Sequence, residues 1–496
     1  MQKWESGVAL PDLSNLTAMA KKFGVSLDTL LLDSNTRTIE ELSFEKEFSP
    51  EYSSMHGWEL YSEQLDVEYV QCLEEGLDIR EHKALIDAVS KLPRGKYKEK
   101  LSNVIFDIVQ SLPKTEGYPY DEPSDLEGIR SRRKAYDLSK KELSEKELFD
   151  KIHGAWMGRI CGCMLGKTVE GIRTDELHPF LKETGNFPMH RYIKSTDVTD
   201  EMCDKYTFRF RDRKYADTIE FMPYDDDTNY TVLAQVVIDK YGRDFTPYDM
   251  SRAWLDLQPK NAYCSAERVA FRNFVTGFVP PLSAEYKNPY REWIGAQIRG
   301  VYFGYINPGN PALAAEMAWR DASISHIKNG IYGEMFIAAM LACAAVSDDM
   351  VAIILGGLAE IPCQSRLYKE VMELLENYKN GTPQEACFAI IHEKYNEHFW
   401  HDWTHTIPNA LIVVASLLYG KEDFGKSICM AVETGFDTDC NGATVGSILG
   451  IKNGIATIGE EWTAPIHGKL QTTIFNMGIV DCEELVKNTT KHLPKQ

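Results

Sequence analysis

The chain has 496 residues, of which 44% are hydrophobic and 26% are charged, values that are ordinary for a folded globular protein. This length exceeds the usual size of a single hydrophobic core, so two or three domains are expected unless one large helical unit occupies most of the chain. The 54 basic and 74 acidic residues give a net charge of −20, which disfavours nucleic acid as a partner because phosphate binding draws on clustered Lys and Arg.

The N-terminal segment and the cysteines both favour a cytoplasmic protein. Residues 1–16 lack the long apolar stretch of a secretory signal, and the chain contains no run of about 18 apolar residues. The 11 cysteines are scattered, and the closest pair, Cys161 and Cys163, does not have the C-x-x-C spacing. We therefore expect reduced, mostly buried cysteines rather than structural zinc or redox sites.

The first part of the chain is rich in charge and in short amphipathic patterns, such as that at 66–73, and no chemistry can be assigned to it. A segment with two prolines at 118–123 and a charged stretch at 130–146 indicate a boundary. The sequence therefore predicts a helical accessory region at 1–147, followed by a catalytic domain at 148–496.

The catalytic domain begins with Gly154, Gly158, Gly162 and Gly166, which recur every four residues and would form a smooth stripe along one helix face. Another helix or a ligand could then approach closely, and close helix packing is the simpler explanation. A membrane helix is excluded by the short length and by Arg159 within the stretch.

Helical spacing of apolar residues continues through the rest of the domain, and runs of strict alternation are few. Further helices are predicted at 230–241, 311–322, 330–346, 368–378, 408–418 and 442–451. The catalytic domain is therefore predicted to be all-α.

Two acidic clusters, at 225–228 and 437–441, each stand directly before an apolar helical stretch. Helix capping would explain either cluster alone, because Asp and Thr are common at helix starts. The pair favours a split metal site, since Mg²⁺ prefers carboxylate oxygens and two helix starts can hold ions without an enclosing loop. The second cluster also matches the beginning of a calcium loop, but its twelfth position is Ile448, so a closed loop is not expected.

Several short motifs follow one another in a fixed order between residues 148 and 476. They are Gly154-Ala155-Trp156-Met157-Gly158 with Leu165-Gly166 and Glu170, then Asp226-Asp227-Thr228, Gly295-Ala296-Gln297-Ile298-Arg299, Ser325-His326 and Asp437-Thr438-Asp439. Each motif alone is weakly specific, but in this order the chain resembles the ADP-ribosylglycohydrolase family, which includes dinitrogenase reductase-activating glycohydrolase.

The resemblance implies an all-α fold with two Mg²⁺ ions, Mn²⁺ being the alternative metal, that bind the distal ribose of ADP-ribose and assist hydrolysis at its anomeric carbon. Matched positions imply catalytic roles for Glu170, Asp227 and Asp437, with Glu170 as the mobile glutamate near the scissile bond. The implied metal ligands are Asp225, Asp226, Asp227, Asp437, Asp439 and Cys440. Such a site suits the chemistry, because cleaving a glycosidic bond builds oxocarbenium character.

Two of the implied metal ligands depart from the family pattern. Asp225 replaces the leading Thr of the first acidic motif, and Cys440 replaces the closing Thr of the second. A thiol is a poor partner for Mg²⁺ and an extra carboxylate adds charge, so metal preference and activity depend on these two residues. Cys163 also stands where the family often has Asp, so the resemblance leaves open whether the substrate is a protein-linked ADP-ribose or a different ribosyl compound.

The substrate-binding residues implied by the motifs are Gly295, Arg299 and His326. Gly295 would let backbone N–H groups approach a pyrophosphate, Arg299 would pair with it, and His326 would contact ribose. Their structural alternatives are a helix-stabilising arginine and a satisfied interior histidine.

A rival metal site is formed by a histidine-rich run, in which His401 and His405 have the spacing of one helical face. Its members are His392, His398, His401, Asp402 and His405. No adjoining Glu completes an H-E-x-x-H motif, so zinc hydrolysis is the weaker hypothesis.

The sequence thus predicts a metal-dependent hydrolase that cleaves an N- or O-glycosidic bond to ADP-ribose or a related ribosyl group, carried by a small molecule or a protein. Neither nucleic acid nor a membrane is an expected partner. The alternative is a catalytically impaired ADP-ribose-binding protein of the same fold, because of Asp225 and Cys440.

Overall fold

The computed structural model describes residues 17–18, 20–22, 24 and 49–494. The chain forms two compact units, Met1–Tyr118 and Pro119–Gln496. In the first unit the described helices are α1 (Leu65–Glu74), α2 (Lys83–Ser90) and α3 (Lys96–Ser111). Their apolar faces form a small core that includes Leu65, Ile86 and Ile105. The predicted pattern at 66–73 lies within α1, so this helix is confirmed.

The second unit is built almost entirely of helices. In chain order they are α4 (Leu126–Ser131), α5 (Glu145–Lys167), α6 (Thr174–Glu183), α7 (Asp200–Lys205), α8 (Asp226–Tyr241), α9 (Pro247–Leu257), α10 (Ser265–Val275), α11 (Leu282–Glu285), α12 (Val301–Tyr305), α13 (Pro311–Ala322), α14 (Lys328–Ala344), α15 (Met350–Leu358), α16 (Arg366–Lys379), α17 (Gln384–Lys394), α18 (Trp400–Thr404), α19 (Thr406–Tyr419), α20 (Phe424–Glu433), α21 (Thr438–Asn453), α22 (Glu460–Thr463) and α23 (Cys482–Lys491). Two short antiparallel strands, β1 (Lys469–Gln471) and β2 (Ile479–Asp481), pair Leu470 with Val480. The predicted all-α fold is confirmed.

The centre of the second unit is formed by largely apolar helices that are buried on every side. In α14 every residue from Asn329 to Ala344 is buried, and α19 is buried from Thr406 to Leu418. Helices without a polar face belong in the interior, because any exposed side would leave apolar surface in water. The six further helices predicted from apolar spacing are all present. Five of them contain or match the predicted range, whereas the helix predicted at 330–346 ends at Ala344.

The glycine stripe of α5 packs against a second glycine stripe in α21. Gly154, Gly158 and Gly162 face Gly450, Gly446 and Gly442 respectively, so the two helices run antiparallel. A Cβ added at any of these positions would overlap the backbone carbonyl of the facing helix. The prediction of close helix packing is therefore confirmed, and the backbones of α5 and α21 meet without intervening side chains.

The division between the compact units lies N-terminal to the boundary that the charged stretch suggested. Residues 119–147 belong to the second unit, where Glu122 forms a buried ion pair with Arg366 and Arg133 pairs with Glu360. The accessory role of residues 1–147 stays a prediction.

The described part of the chain, 49–494 with a few earlier residues, contains no helix of sufficient length and apolar character to cross a membrane. The cysteines are unpaired and mostly buried, as predicted. Residues 438–453 are helical, so the second acidic cluster starts a helix and does not form a calcium loop.

Candidate metal centre

Both acidic clusters occupy helix N-termini. Asp225 caps α8 by accepting a hydrogen bond from the backbone N–H of Asp227 at 2.9 Å. Asp437 stands at the same position before α21, but its side chain makes no capping hydrogen bond. Acidic groups are favoured at helix N-termini by the macrodipole, yet capping accounts for the side chain of Asp225 alone.

The fold brings the two clusters together. One ligand atom from each of Asp227, Asp439 and Cys440 lies within 4.8 Å of the other two, and the same holds for Cys163, Asp225 and Asp227. The glycine stripes produce this convergence, because Gly166 near the end of α5 lies against Thr438 at the start of α21. The Thr438 hydroxyl donates to the Gly166 carbonyl oxygen at 2.9 Å.

Two carboxylate oxygens in the cluster have no hydrogen-bond partner although they are buried, namely Oδ2 of Asp227 and Oδ1 of Asp439. The other oxygen of Asp227 accepts from Arg159 at 2.9 Å, and both of these side chains are fully buried. Buried carboxylate oxygens are costly unless a hydrogen-bond donor or a cation satisfies them. The cluster therefore offers carboxylate oxygens without a hydrogen-bond partner, which are the kind of ligand that a hard cation requires.

The electrostatics of the cluster indicate an excess of negative charge. Burial, reinforced by the neighbouring carboxylates, raises the pKa of Asp226, Asp227 and Asp439 well above the ordinary value. Burial likewise raises the pKa of Asp437 to about 8, and Glu170 adds to this effect. A divalent cation would reverse these shifts, because it stabilises the ionised form of every oxygen around it.

The oxygen donors fit Mg²⁺ or Mn²⁺, whereas the thiol of Cys440 fits a hard cation poorly. Burial, together with Asp227 and Asp437, raises the pKa of this thiol well above its usual value. Without a bound metal, the surroundings of Cys440 therefore favour the thiol over the thiolate.

Lys167 is a member of the site that the sequence prediction missed. Its Nζ donates to Oδ2 of Asp225 at 2.7 Å, and Asp225 is only 2% exposed. Burial alone would raise the pKa of Asp225, but Lys167 outweighs this effect and lowers it. The lysine follows Gly166 directly in a recognised motif, yet nothing in the spacing indicates its partner.

Glu170 lies at the rim of the site, just beyond the end of α5. Its side chain is 40% exposed, and its Oε2 is 3.8 Å from a guanidinium nitrogen of Arg213. Partial burial of the side chain and the charge of Asp225 raise the pKa of the carboxyl group, against the opposing effect of Lys167. The fold thus places Glu170 beside the cluster in a position open to solvent.

The predicted substrate-binding residues Gly295 and Arg299 belong to a different, buried network. A Cβ on Gly295 would overlap the carboxylate of Glu267, and Arg299 donates to that carboxylate at 2.7 Å. Arg299 also donates to Asp321 at 3.1 Å and is 1% exposed. These contacts favour a structural role for Arg299, which lies in a turn before α12 and not in a helix. Binding of a pyrophosphate by Gly295 and Arg299 stays a prediction.

His326 is fully buried, and its Nδ1 is 2.9 Å from the hydroxyl of Ser325. Its Nε2 has no hydrogen-bond partner. Burial, reinforced by Arg299, lowers the pKa of this imidazole well below the ordinary value, so the ring is neutral. A role in contacting ribose stays a prediction.

The histidine-rich run does not form the single helical face that its spacing suggested. His401 lies in α18, whereas His405 has extended backbone angles and caps α19, so the prediction of one helix was wrong. The Nδ1 of His401 accepts from the indole N–H of Trp293 at 3.1 Å. Outside this pair, His392 contacts the carbonyl oxygen of Thr434 at 3.0 Å.

These features define a helical protein with a cluster of buried carboxylates between two helix starts. A sequence model of the family described as ADP-ribosylglycohydrolase matches residues 144–492. The chain therefore belongs to the ADP-ribosylglycohydrolase family, and the resemblance seen in the motifs is confirmed. A solved structure titled "ADP-ribosylglycohydrolase-related protein complex" is 18% identical, covers 70% of this chain and 98% of its own, and has a TM-score of 0.40. No curated protein matches the chain.

Proposed function

We propose that the protein is a hydrolase that depends on a divalent metal and cleaves an N- or O-glycosidic bond at the anomeric carbon of ADP-ribose or a related ribosyl group. The observation that carries the proposal is the convergence of Asp227 and Asp439, each with a buried oxygen lacking a partner, in a chain of this family. The resemblance implies Mg²⁺ or Mn²⁺, and the carboxylates of Asp226, Asp227, Asp437 and Asp439 would hold it.

When bound, the metal would supply positive charge that orients hydroxyl groups of the ribose. Glu170 is the residue we propose for activating water, because it stands at the open rim with a carboxyl group whose pKa is raised. A general base works best when its pKa lies near the working pH. Arg213, which donates to the backbone carbonyl of Glu170 at 2.6 Å, holds this residue at the rim.

Asp227 and Asp437 are the two further residues proposed for catalysis, and they differ in the hydrogen bonds that their carboxylates make. Arg159 donates to the carboxylate and to the backbone carbonyl of Asp227, which fixes the side chain in one orientation. The carboxylate of Asp437 makes no capping hydrogen bond, and its proposed role is to contact the cation or a ribose hydroxyl. We keep His326 as a ribose contact, because its Nε2 is a buried nitrogen without a partner.

The test is turnover by the purified protein with Mg²⁺ or Mn²⁺, first on ADP-ribosylated Arg and Ser peptides and then on nucleosides and nucleotide sugars. We expect release of the ribosyl group from at least one substrate, loss of activity with a chelator, and loss in Asp439→Asn. A matched control is Asp349→Asn, which removes a helix-capping carboxylate in the same unit. Turnover of none of these substrates with either metal would refute the hydrolase.

A second candidate function is binding of ADP-ribose without hydrolysis, and the observation that favours it is the position of Cys440 in the cluster, because a sulfur ligand suits a hard cation poorly. Calorimetry with ADP-ribose, combined with the turnover assay, separates the two functions. Binding without turnover that Cys440→Thr leaves unchanged supports the binder. An increase of activity in Cys440→Thr supports a hydrolase whose metal site is weakened by the thiol.

A further inference from the structure

Within the acidic cluster, Asp225 differs from the other carboxylates because both of its oxygens are already bonded. Oδ2 accepts from the ammonium of Lys167 at 2.7 Å, and Oδ1 accepts from the backbone N–H of Asp227 at 2.9 Å. Asp225 is 2% exposed, and Lys167 is 22% exposed. Asp225 therefore has a permanent counter-ion supplied by the protein itself.

The position of Lys167 follows from the helix packing. Lys167 is the last residue of α5, and the preceding Gly166 lies against the backbone of Thr438 and Asp439 at the start of α21. The helix end thus carries the ammonium directly to the acidic cluster. A cation at a helix C-terminus is favoured by the macrodipole, which further stabilises the lysine there.

The open oxygens lie elsewhere in the cluster. Oδ2 of Asp227 and Oδ1 of Asp439 are buried and have no partner, and these two residues approach each other within 4.8 Å together with Cys440. Asp227 also lies within 4.8 Å of Asp225 and Cys163, but there both oxygens of Asp225 are bonded, one to Lys167 and one to the backbone N–H of Asp227.

We propose that this chain binds a single divalent cation, at Asp227 and Asp439, and that the ammonium of Lys167 replaces the second ion of the binuclear centre that the family resemblance implies. Asp225 is then a partner of Lys167 and not a metal ligand. The replacement of the family's Thr by Asp at this position and the presence of Lys167 compensate each other, because together they add no net charge. A second divalent ion at Asp225 would be repelled by the ammonium.

This inference rests on the proposed function, since it concerns the same site, and it is tested by counting ions rather than by activity. The full-length metal-free protein is titrated with Mn²⁺, the bound metal per chain is measured after equilibrium dialysis, and electron paramagnetic resonance spectra are recorded. We expect one Mn²⁺ per chain, with the spectrum of an isolated ion. Two Mn²⁺ ions about 3.5–4 Å apart would instead give the signature of an exchange-coupled pair.

The variants are Lys167→Met and the double variant Lys167→Met with Asp225→Thr, of which the second restores the Thr usual in the family. Both are expected to bind two Mn²⁺ per chain and to give the coupled spectrum. Two variants are made so that the second serves if the first does not fold. A circular dichroism spectrum equal to that of the unaltered protein shows that a variant is folded. Lys426→Met, which removes an exposed lysine of α20, is the matched control and is expected to keep one Mn²⁺.

Each outcome separates this inference from the proposed function. Two Mn²⁺ per chain in the unaltered protein would overturn the replacement by Lys167 and leave the metal-dependent hydrolase standing. One Mn²⁺ per chain in the unaltered protein and in the folded lysine variants would overturn the role of Lys167 alone. No bound Mn²⁺ in the folded, unaltered protein would overturn both proposals.

Discussion

The carboxyl group of Asp437 titrates close to neutral pH, because burial raises its pKa to about 8. Protons and metal ions compete for the same oxygens, so the apparent affinity for Mn²⁺ should increase as the pH rises from 6 to 9. Calorimetric titration at several pH values measures this. In Asp437→Asn the increase should be smaller, and an affinity of the unaltered protein that does not change with pH would contradict the prediction.

The same group affects the stability of the metal-free protein in the opposite direction. Between about pH 4 and pH 8 the folded state keeps a proton on Asp437 that the unfolded state has lost, so the contribution of this group to stability decreases as the pH rises. We expect the Tm of the metal-free protein to fall more between pH 6 and 8.5 than that of Asp437→Asn. Equal slopes for the two proteins would show that Asp437 is not the titrating group.

Arg299 is predicted to stabilise the fold rather than to hold substrate. It is surrounded by the carboxylates of Glu267, Asp321 and Glu334, and removing one partner of a buried ion network costs about 3–5 kcal/mol. Chemical denaturation of Arg299→Met measures this loss. The control Arg252→Met removes an arginine whose side chain is 49% exposed, and it should cost less than about 1 kcal/mol.

An Arg299→Met variant with unchanged stability and weakened ADP-ribose binding would instead restore the substrate role that the sequence suggested.

The sequence could identify the acidic residues of the site, because they stand before helices in recognisable motifs. It could not identify the partners of Arg299 or Lys167, because an ion pair joins residues that are distant in the sequence and is fixed only by the fold.

At the scale of helices, the packing of α5 on α21 depends on glycine. In Gly158→Ala the new Cβ would overlap the carbonyl oxygen of Gly446, and overpacking of this kind costs about 1–3 kcal/mol. The higher helix propensity of Ala, about 1 kcal/mol, offsets only part of this loss. We expect a net decrease in the free energy of unfolding, measured by chemical denaturation.

The matched control is Gly57→Ala, where an added Cβ would have a single neighbour, the side-chain nitrogen of Gln64 at 3.7 Å. This substitution should leave stability unchanged within about 0.5 kcal/mol. Equal effects of the two substitutions would show that contact between α5 and α21 is not what requires glycine.

The glycine stripe on α5 was visible in the sequence, and Gly442, Gly446 and Gly450 have the same spacing. Spacing alone, however, does not reveal which helices pack against each other.

At the scale of the whole molecule, the segment 119–147 distinguishes two possible domain boundaries. This segment supplies Glu122, which accepts hydrogen bonds from both the backbone N–H and the guanidinium of Arg366. A fragment of residues 119–496 should therefore fold and bind Mn²⁺. A fragment of residues 148–496 should be insoluble or strongly destabilised, because Arg366 loses a buried partner.

Expression of both fragments, followed by thermal denaturation and metal titration, measures the difference. Equal stability of the two would place the boundary at residue 147, as the charged stretch suggested. Composition indicated a boundary there because charged segments often link domains. The structural contribution of the segment was hidden, because Arg366 and Glu360, the partners of Glu122 and Arg133, lie more than 200 positions further along the chain.

The glycine contacts between α5 and α21 also limit how this site can change. Backbone meets backbone at each glycine pair, and Gly166 lies against Thr438 and Asp439, so the contacts fix how the end of α5 is placed relative to the start of α21. The metal-binding properties of the site can therefore change only through substitution of individual side chains, because the backbones of α5 and α21 stay in place. Asp225 and Cys440, each standing where the family has Thr, are exchanges of that kind.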